Sequence, residues 1–274
     1  MTDHPRQPAI FIPHGGGPCF FMDWTWGPAD TWHATQRFLE SIASTLPQPP
    51  KAILVISGHW EEAAFTASAA PSPGLIFDYS GFPVHTYRLT WPAPGDPALA
   101  AKVAELLQKA RLPSAVSPDR GYDHGVFIPL KVAFLLADIP VVSLSLAMRA
   151  DGSFDPAMHI AAGRALAPLR DEGVLIVGSG MSFHNLRAYF RPDTANAARA
   201  FDGWLTHAVE SPVPERDILL GGWQNAPYAR FSHPREEHLV PLFVAAGAGG
   251  DAPGERIFND EPMGAAISAY RFDG

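Results

Sequence analysis

Eleven histidines are spread along 274 residues, and three of them follow closely on runs of apolar residues. His14 follows Ala9-Ile10-Phe11-Ile12 in FIPHGGGP. His59 follows Ala52-Ile53-Leu54-Val55-Ile56 in ILVISGHWE, and His184 follows Val174-Leu175-Ile176-Val177 in LIVGSGMSFHNL. Each run reads as a buried strand, with its histidine beyond the end, in or just after a glycine-containing turn. Ligands of open α/β sheets bind outside the carboxyl ends of the strands. Imidazole is the commonest metal ligand and suits iron, zinc and copper. Three imidazoles gathered at such an edge point to a metal site.

A further stretch, Ser232-His233-Pro234-Arg235-Glu236-Glu237-His238, is dense in ligand types. If a helix starts near Pro234, Glu237 and His238 point about 100° apart, so only one of them faces a given ion easily. His238 borders the apolar face set by Leu239, Leu242 and Phe243 and is the preferred third ligand. Glu236 and Glu237 then read as acids favoured by the helix N-terminus, and Glu61 and Glu62 as solvent-exposed. The HGGGP turn lacks the lysine and Ser/Thr of a phosphate-binding loop; its glycines instead leave room for a ligand beside His14. His124 in GYDHGVF and His184 have small neighbours in loop-like settings. Either can serve as a base titrating near neutrality or as a core histidine. Cys19 reads as a small buried hydrophobe. His4, His33, His159 and His207 read as surface residues, and His85 has no assignment. Phe20, Phe21, Trp24, Trp26, Phe82 and Trp91 could wall an aromatic pocket or simply pack. Arg88 or Arg187 could pair with a substrate carboxylate.

These side chains need a scaffold, and the chain alternates strand-like and helix-like segments. Helices are expected over Thr31–Leu46, Pro97–Lys109 with Asp96 as cap, Phe127–Leu136, Pro156–Arg170, Thr194–Glu210 and Glu236–Ala246. Strands are expected near Ala52–Ser57, Phe65–Ala69, Leu75–Phe77, Val141–Leu146, Val174–Ser179 and Ala266–Phe272, the last at an edge. Gly81–Pro94 reads as a long ordered loop of the kind that lines a site. The expected architecture is a single α/β domain over residues 1–274, with a central mixed sheet covered by helices on both faces.

A net charge of −8 argues against nucleic acid as a partner, and a hydrophobic fraction of 47% is enough for a full core. No basic amphipathic segment, bilayer-length apolar run or signal peptide is recognisable, so no membrane association is expected. The single cysteine excludes an internal disulfide and fits a cytoplasmic setting. Oligomeric state is not legible.

Taken together and in order, HGGGP with His14, GHW with His59, YDHG with His124, SGMSFHNL with His184 and EEHLVPLF with His238 resemble the class III extradiol ring-cleaving dioxygenases. The likeness is strongest to the DOPA 4,5-dioxygenase-like branch and runs nearly the whole chain, including FPVHTYRLTWPAPG. The catalytic subunit of protocatechuate 4,5-dioxygenase is similar at greater distance. The resemblance implies that His14, His59 and His238 hold the metal, that His184 is the acid/base histidine and that His124 contacts substrate or oxygen. It implies Fe(II) as the catalytic metal, with Zn(II) able to take its place in purified protein. It also implies a catechol-type substrate and O2, with insertion beside rather than between the two hydroxyls to give a muconate-type semialdehyde. The protocatechuate enzymes use a glutamate as third ligand, which leaves Glu237 open as a contributor. Two other classes remain. One is a zinc hydrolase in which Glu237 activates water; the other is a non-catalytic interaction protein on the same scaffold.

Overall fold

Alternate residues of the first strand serve two different cores. In β1 (Ala9–Pro13), Ala9 and Phe11 pack on one side while Ile10 and Ile12 pack on the other. That two-sided burial is the mark of a strand inside a sheet with helices on both faces. The computed structural model describes residues 5–274, and His4 lies outside them.

In chain order the remaining elements are α1 (His33–Thr45), β2 (Ala52–Glu62), β3 (Phe65–Ser68), α2 (Pro97–Lys109), β4 (Ser114–Ser117), α3 (His124–Ala133), β5 (Val141–Ala147) and α4 (Pro156–Leu166). They continue with β6 (Val174–Gly180), α5 (Thr194–Glu210), α6 (Val213–Gly221), α7 (Ala229–Ser232), α8 (Val240–Ala248), β7 (Glu255–Asp260) and β8 (Ile267–Phe272). The strands form one eight-stranded mixed sheet in the order β4-β3-β5-β2-β6-β1-β8-β7. Its centre, β5-β2-β6-β1, is parallel, so these strands end at one common edge. Helices α2, α4, α5 and α8 contribute to the core on one face, and α1 and α3 to the core on the other. The α/β expectation with helices on both faces is therefore met.

Several local expectations are corrected. β2 continues to Glu62 through a shift in its pairing with β5 between Ile56 and Glu61, so His59 lies within the strand rather than in a turn after it. α3 starts at His124, three residues before the expected Phe127, because the Asp123 carboxylate caps it by accepting from Val126 N. α8 starts at Val240, with Pro241 in its first turn, so Glu236, Glu237 and His238 sit in the preceding turn rather than on a helix. β8 is flanked by β1 and β7, and β7 takes the edge. Around Leu75–Phe77 only a single bridge forms, from Leu75 to Tyr122. His159 is fully buried rather than exposed: its Nδ1 lies 2.7 Å from the Asp155 carbonyl, and its Nε2 accepts from Ala147 N at 3.3 Å. His33, His85 and His207 are exposed.

Candidate metal centre

The common edge of the parallel strands collects the histidines. His14 leaves β1 by the HGGGP turn, where Gly15 and Gly17 adopt φ of 85° and 57°. Side chains rarely tolerate that backbone, which explains glycines there. The end of β6 fixes two of the histidines through the main chain. His14 N donates to Gly180 O at 3.1 Å, and Met181 N donates to His238 O at 3.0 Å. His59 projects from the distal part of β2, and His124 stands at the first position of α3. His184 follows β6 and is tied by its N–H to Ser232 O at 3.0 Å.

His14 Nε2 and His238 Nε2 each lie 3.2 Å from His59 Nε2. Two nitrogens each about 2.1 Å from one ion are separated by roughly 3.0–3.4 Å at coordination angles of about 90–109°. The spacing therefore fits a shared divalent cation. The opposite ring nitrogens fit as well. His14 Nδ1 is 2.9 Å from Gly15 O, and His238 Nδ1 is 2.8 Å from Glu237 Oε1. A proton on each Nδ1 serves those acceptors and leaves the Nε2 lone pair free for a metal, the tautomer control that partners of metal-bound histidines provide. His59 Nδ1 has the Asp78 carboxylate at 3.7 Å.

Burial keeps these rings neutral, as ligation requires. Desolvation, reinforced by the neighbouring imidazoles, holds His14 and His238 well below the usual histidine range and lowers His59 to about 3.

The other two histidines adjoin this triad. His184 stacks on His238 with ring centres 3.4 Å apart, and its Nδ1 lies 3.4 Å from Glu237 Oε1. His124 packs against His59 at 3.9 Å between ring centres. Its Nδ1 and its main-chain N lie 2.8 and 2.9 Å from Asp78 Oδ1. Burial pushes the Asp78 and Glu237 carboxyls up, but their hydrogen bonds with His124 and His184 outweigh it, and both stay below the usual carboxylate range. All five expected histidines thus line one cavity of about 540 Å³.

Of the expected aromatic wall, Trp24, Trp26 and Phe82 line this cavity, whereas Phe20, Phe21 and Trp91 do not. Trp91 is a core residue that donates to Phe134 O. Arg88 and Arg187 are exposed and off the cavity. Cys19 is buried, and desolvation raises its thiol strongly, consistent with a hydrophobe rather than a ligand. Glu236 is buried in an ion pair with Arg230, and Glu61 pairs with Arg235. Asp78 and the wall residues Trp32, Tyr79, Tyr189 and Phe190 escaped sequence reasoning. Asp78, Tyr79, Tyr189 and Phe190 lie in irregular segments where no periodicity marks which side chains turn inward, and Trp32 takes the N-cap position of α1, in the turn before it, rather than lying within the expected helix.

Residues 8–272 match the model of the catalytic LigB subunit of aromatic ring-opening dioxygenase. The chain belongs to this family. It is 38% identical to dioxygenase tasH of Hapsidospora irregularis over 97% of this chain and 86% of that protein. It is 37% identical to the 4,5-DOPA dioxygenase extradiol of Beta vulgaris, covering 87% and 89% of the two chains. An uncharacterized protein from Escherichia coli K12, known from its crystal structure, superposes with a TM-score of 0.77 at 29% identity, covering 97% of this chain and all of that one. Membership of a ring-opening dioxygenase family agrees with the resemblance carried by the five histidine motifs.

Proposed function

We propose that residues 1–274 form one catalytic domain of a metal-dependent extradiol dioxygenase that opens a catechol ring with O2. The observation that carries this reading is the pair of 3.2 Å Nε2 separations among His14, His59 and His238, inside a cavity that also holds two further histidines. His14, His59 and His238 would hold the ion, with Fe(II) as the working metal and Zn(II) as an ion that purified protein retains. Bound there, iron supplies the positive charge that acidifies catechol hydroxyls and the route by which electrons pass from the ring to O2.

The protein's own groups supply the rest. Free phenols titrate near 10, so a base must take up a proton at neutral pH. His184 is placed for that role: it lines the cavity, and with Nδ1 beside Glu237 its Nε2 remains for the substrate. His124, held through Nδ1 by Asp78, presents its other nitrogen for contact with substrate or oxygen. For the zinc-hydrolase alternative, Glu237 would need to hold a water. Glu237 does not line the cavity: its Oε1 is taken up between His238 and His184 and its Oε2 faces Arg235 Nη1 at 3.8 Å, which favours the dioxygenase reading. The single cysteine supports a reducing, cytoplasmic setting, and among the described residues no helix is long and apolar enough to cross a membrane.

Anaerobic reconstitution with Fe(II), followed by oxygen uptake with a panel of catechols, tests the proposal. Oxygen consumption with appearance of a yellow semialdehyde is expected. No uptake with any catechol would refute it.

A further inference from the structure

The cavity that takes the substrate is walled, away from its histidines, by Trp24, Trp26, Phe82, Tyr189, Phe190 and Met263 among others. Among the described residues, none that lines it is an aspartate, glutamate, lysine or arginine. The nearest carboxylates, Asp78 and Glu237, are engaged by His124, and by His238 and His184. The exposed Arg37 is likewise off the cavity. It lies with Asp260 and Glu261 in a separate depression, beyond the partition formed by Phe190 and Met263.

A carboxylate on the substrate ring would therefore leave water without a cationic side chain to pair with, a cost that the neutral donors of the lining return only in part. An aryl or branched alkyl group would instead meet indole and phenyl faces, which favour offset and edge-to-face packing. At about 540 Å³ the cavity also falls in the range of about 300–1,000 Å³ that takes drug-sized ligands, well beyond the needs of an unsubstituted catechol.

We infer that the preferred substrate is a catechol without an anionic substituent, carrying a bulky apolar or aryl group that occupies the tryptophan-lined wall. The inference rests on the dioxygenase reading for its chemistry and deepens it by naming the substrate class. That chemistry balances without another reactant. One substrate and one O2 give one product containing both oxygen atoms, as the ring C–C bond beside a hydroxyl-bearing carbon breaks. One of its carbons becomes a carboxyl and the other an aldehyde, so the ring is oxidised and O2 reduced.

Two measurements on the same protein separate the inference from the reading beneath it. Anaerobic titration followed by the change in tryptophan fluorescence reads binding at the wall, where Trp24, Trp26 and Trp32 lie. The ligands are 4-phenylcatechol, 4-tert-butylcatechol, dopamine, L-DOPA and protocatechuate. At least tenfold tighter binding of 4-phenylcatechol than of L-DOPA or protocatechuate is expected. Equal or tighter binding of either anionic catechol, or tighter binding of dopamine through its ammonium, overturns the inference. Oxygen uptake by the Fe(II)-loaded protein with the same panel should show the same order in kcat/KM. No uptake with any of them overturns the dioxygenase reading, while the titration still decides the binding preference. Leu186→Arg places a cation on an exposed lining residue and should narrow the phenyl-to-carboxylate ratio at least threefold. An unchanged ratio would contradict the absence of a cation as its cause.

Discussion

Five imidazoles share one cavity, yet their nitrogens are committed differently, and the proposed roles follow that difference. The Nδ1 atoms of His14, His238 and His124 face a carbonyl or a carboxylate within hydrogen-bond reach, and the Nε2 atoms of His14, His59 and His238 converge. His184 lies outside that convergence, stacked on His238. His184→Ala should accordingly retain metal stoichiometry while turnover falls about 10²- to 10⁴-fold, the usual contribution of general acid–base catalysis. Elemental analysis beside oxygen uptake checks this, and loss of the metal would make His184 a ligand instead. Glu237 adjoins both His238 and His184, so Glu237→Ala should weaken metal binding about 10- to 100-fold, as loss of such supporting partners does. Competition with a chelator measures that, and unchanged affinity would show the carboxylate to be idle. That these five histidines gather in one place was legible because each sits in a compact motif. Asp78 was not, since a lone acid in the FDYSGFPVH loop carries no local sign that it meets His124.

The end of β6 joins the two halves of the centre. Gly180 O accepts from His14 N, and the following residue donates to His238 O. A Cβ on Gly180 would fall 2.1 Å from that same His238 carbonyl, a backbone atom that cannot swing aside. Gly180→Ala should cost about 1–3 kcal/mol of stability and, because His238 must move, reduce metal affinity as well. Denaturant unfolding with a parallel metal titration tests both, and a stable variant with intact affinity would show that the turn can yield. The buried strands β1, β5 and β6 could be read from their apolar runs, and α2 from its Asp96 cap and Pro97. The start of α3 could not, because Asp123 is a cap recognisable only once its carboxylate is seen on Val126 N. The exposed four-residue β4 and the half-exposed β7 lack an apolar run, so their pairing with β3 and β8 depends on partners distant in sequence.

Taken as one body, the protein buries histidines beyond its centre, and these tie its stability to pH. Desolvation lowers His159 to about 4 and His233 to about 3, whereas an unfolded histidine titrates near 6.5. As pH falls through about 6.5, the unfolded chain gains protons that the native rings refuse. Stability is thus fully present above that pH and declines down to about pH 4 for His159 and about pH 3 for His233, by about 1.4 kcal/mol per unit for each group. His159→Gln should flatten the decline between pH 6 and 4 by about one group's share in urea titrations, and an unaltered slope would remove His159 from the account. The overall α/β layering was legible from strand–helix alternation. The edge position of β7 was not, because the chain returns to the sheet there only after four consecutive helices. The most direct test of the central claim is a crystal structure of anaerobically Fe(II)-loaded protein, with data collected across the iron absorption edge. One anomalous peak about 2.1 Å from the Nε2 atoms of His14, His59 and His238, facing the aromatic cavity, is the predicted result. An ion held elsewhere, or one ligated by Glu237 or His184 in place of any of the three, would contradict it.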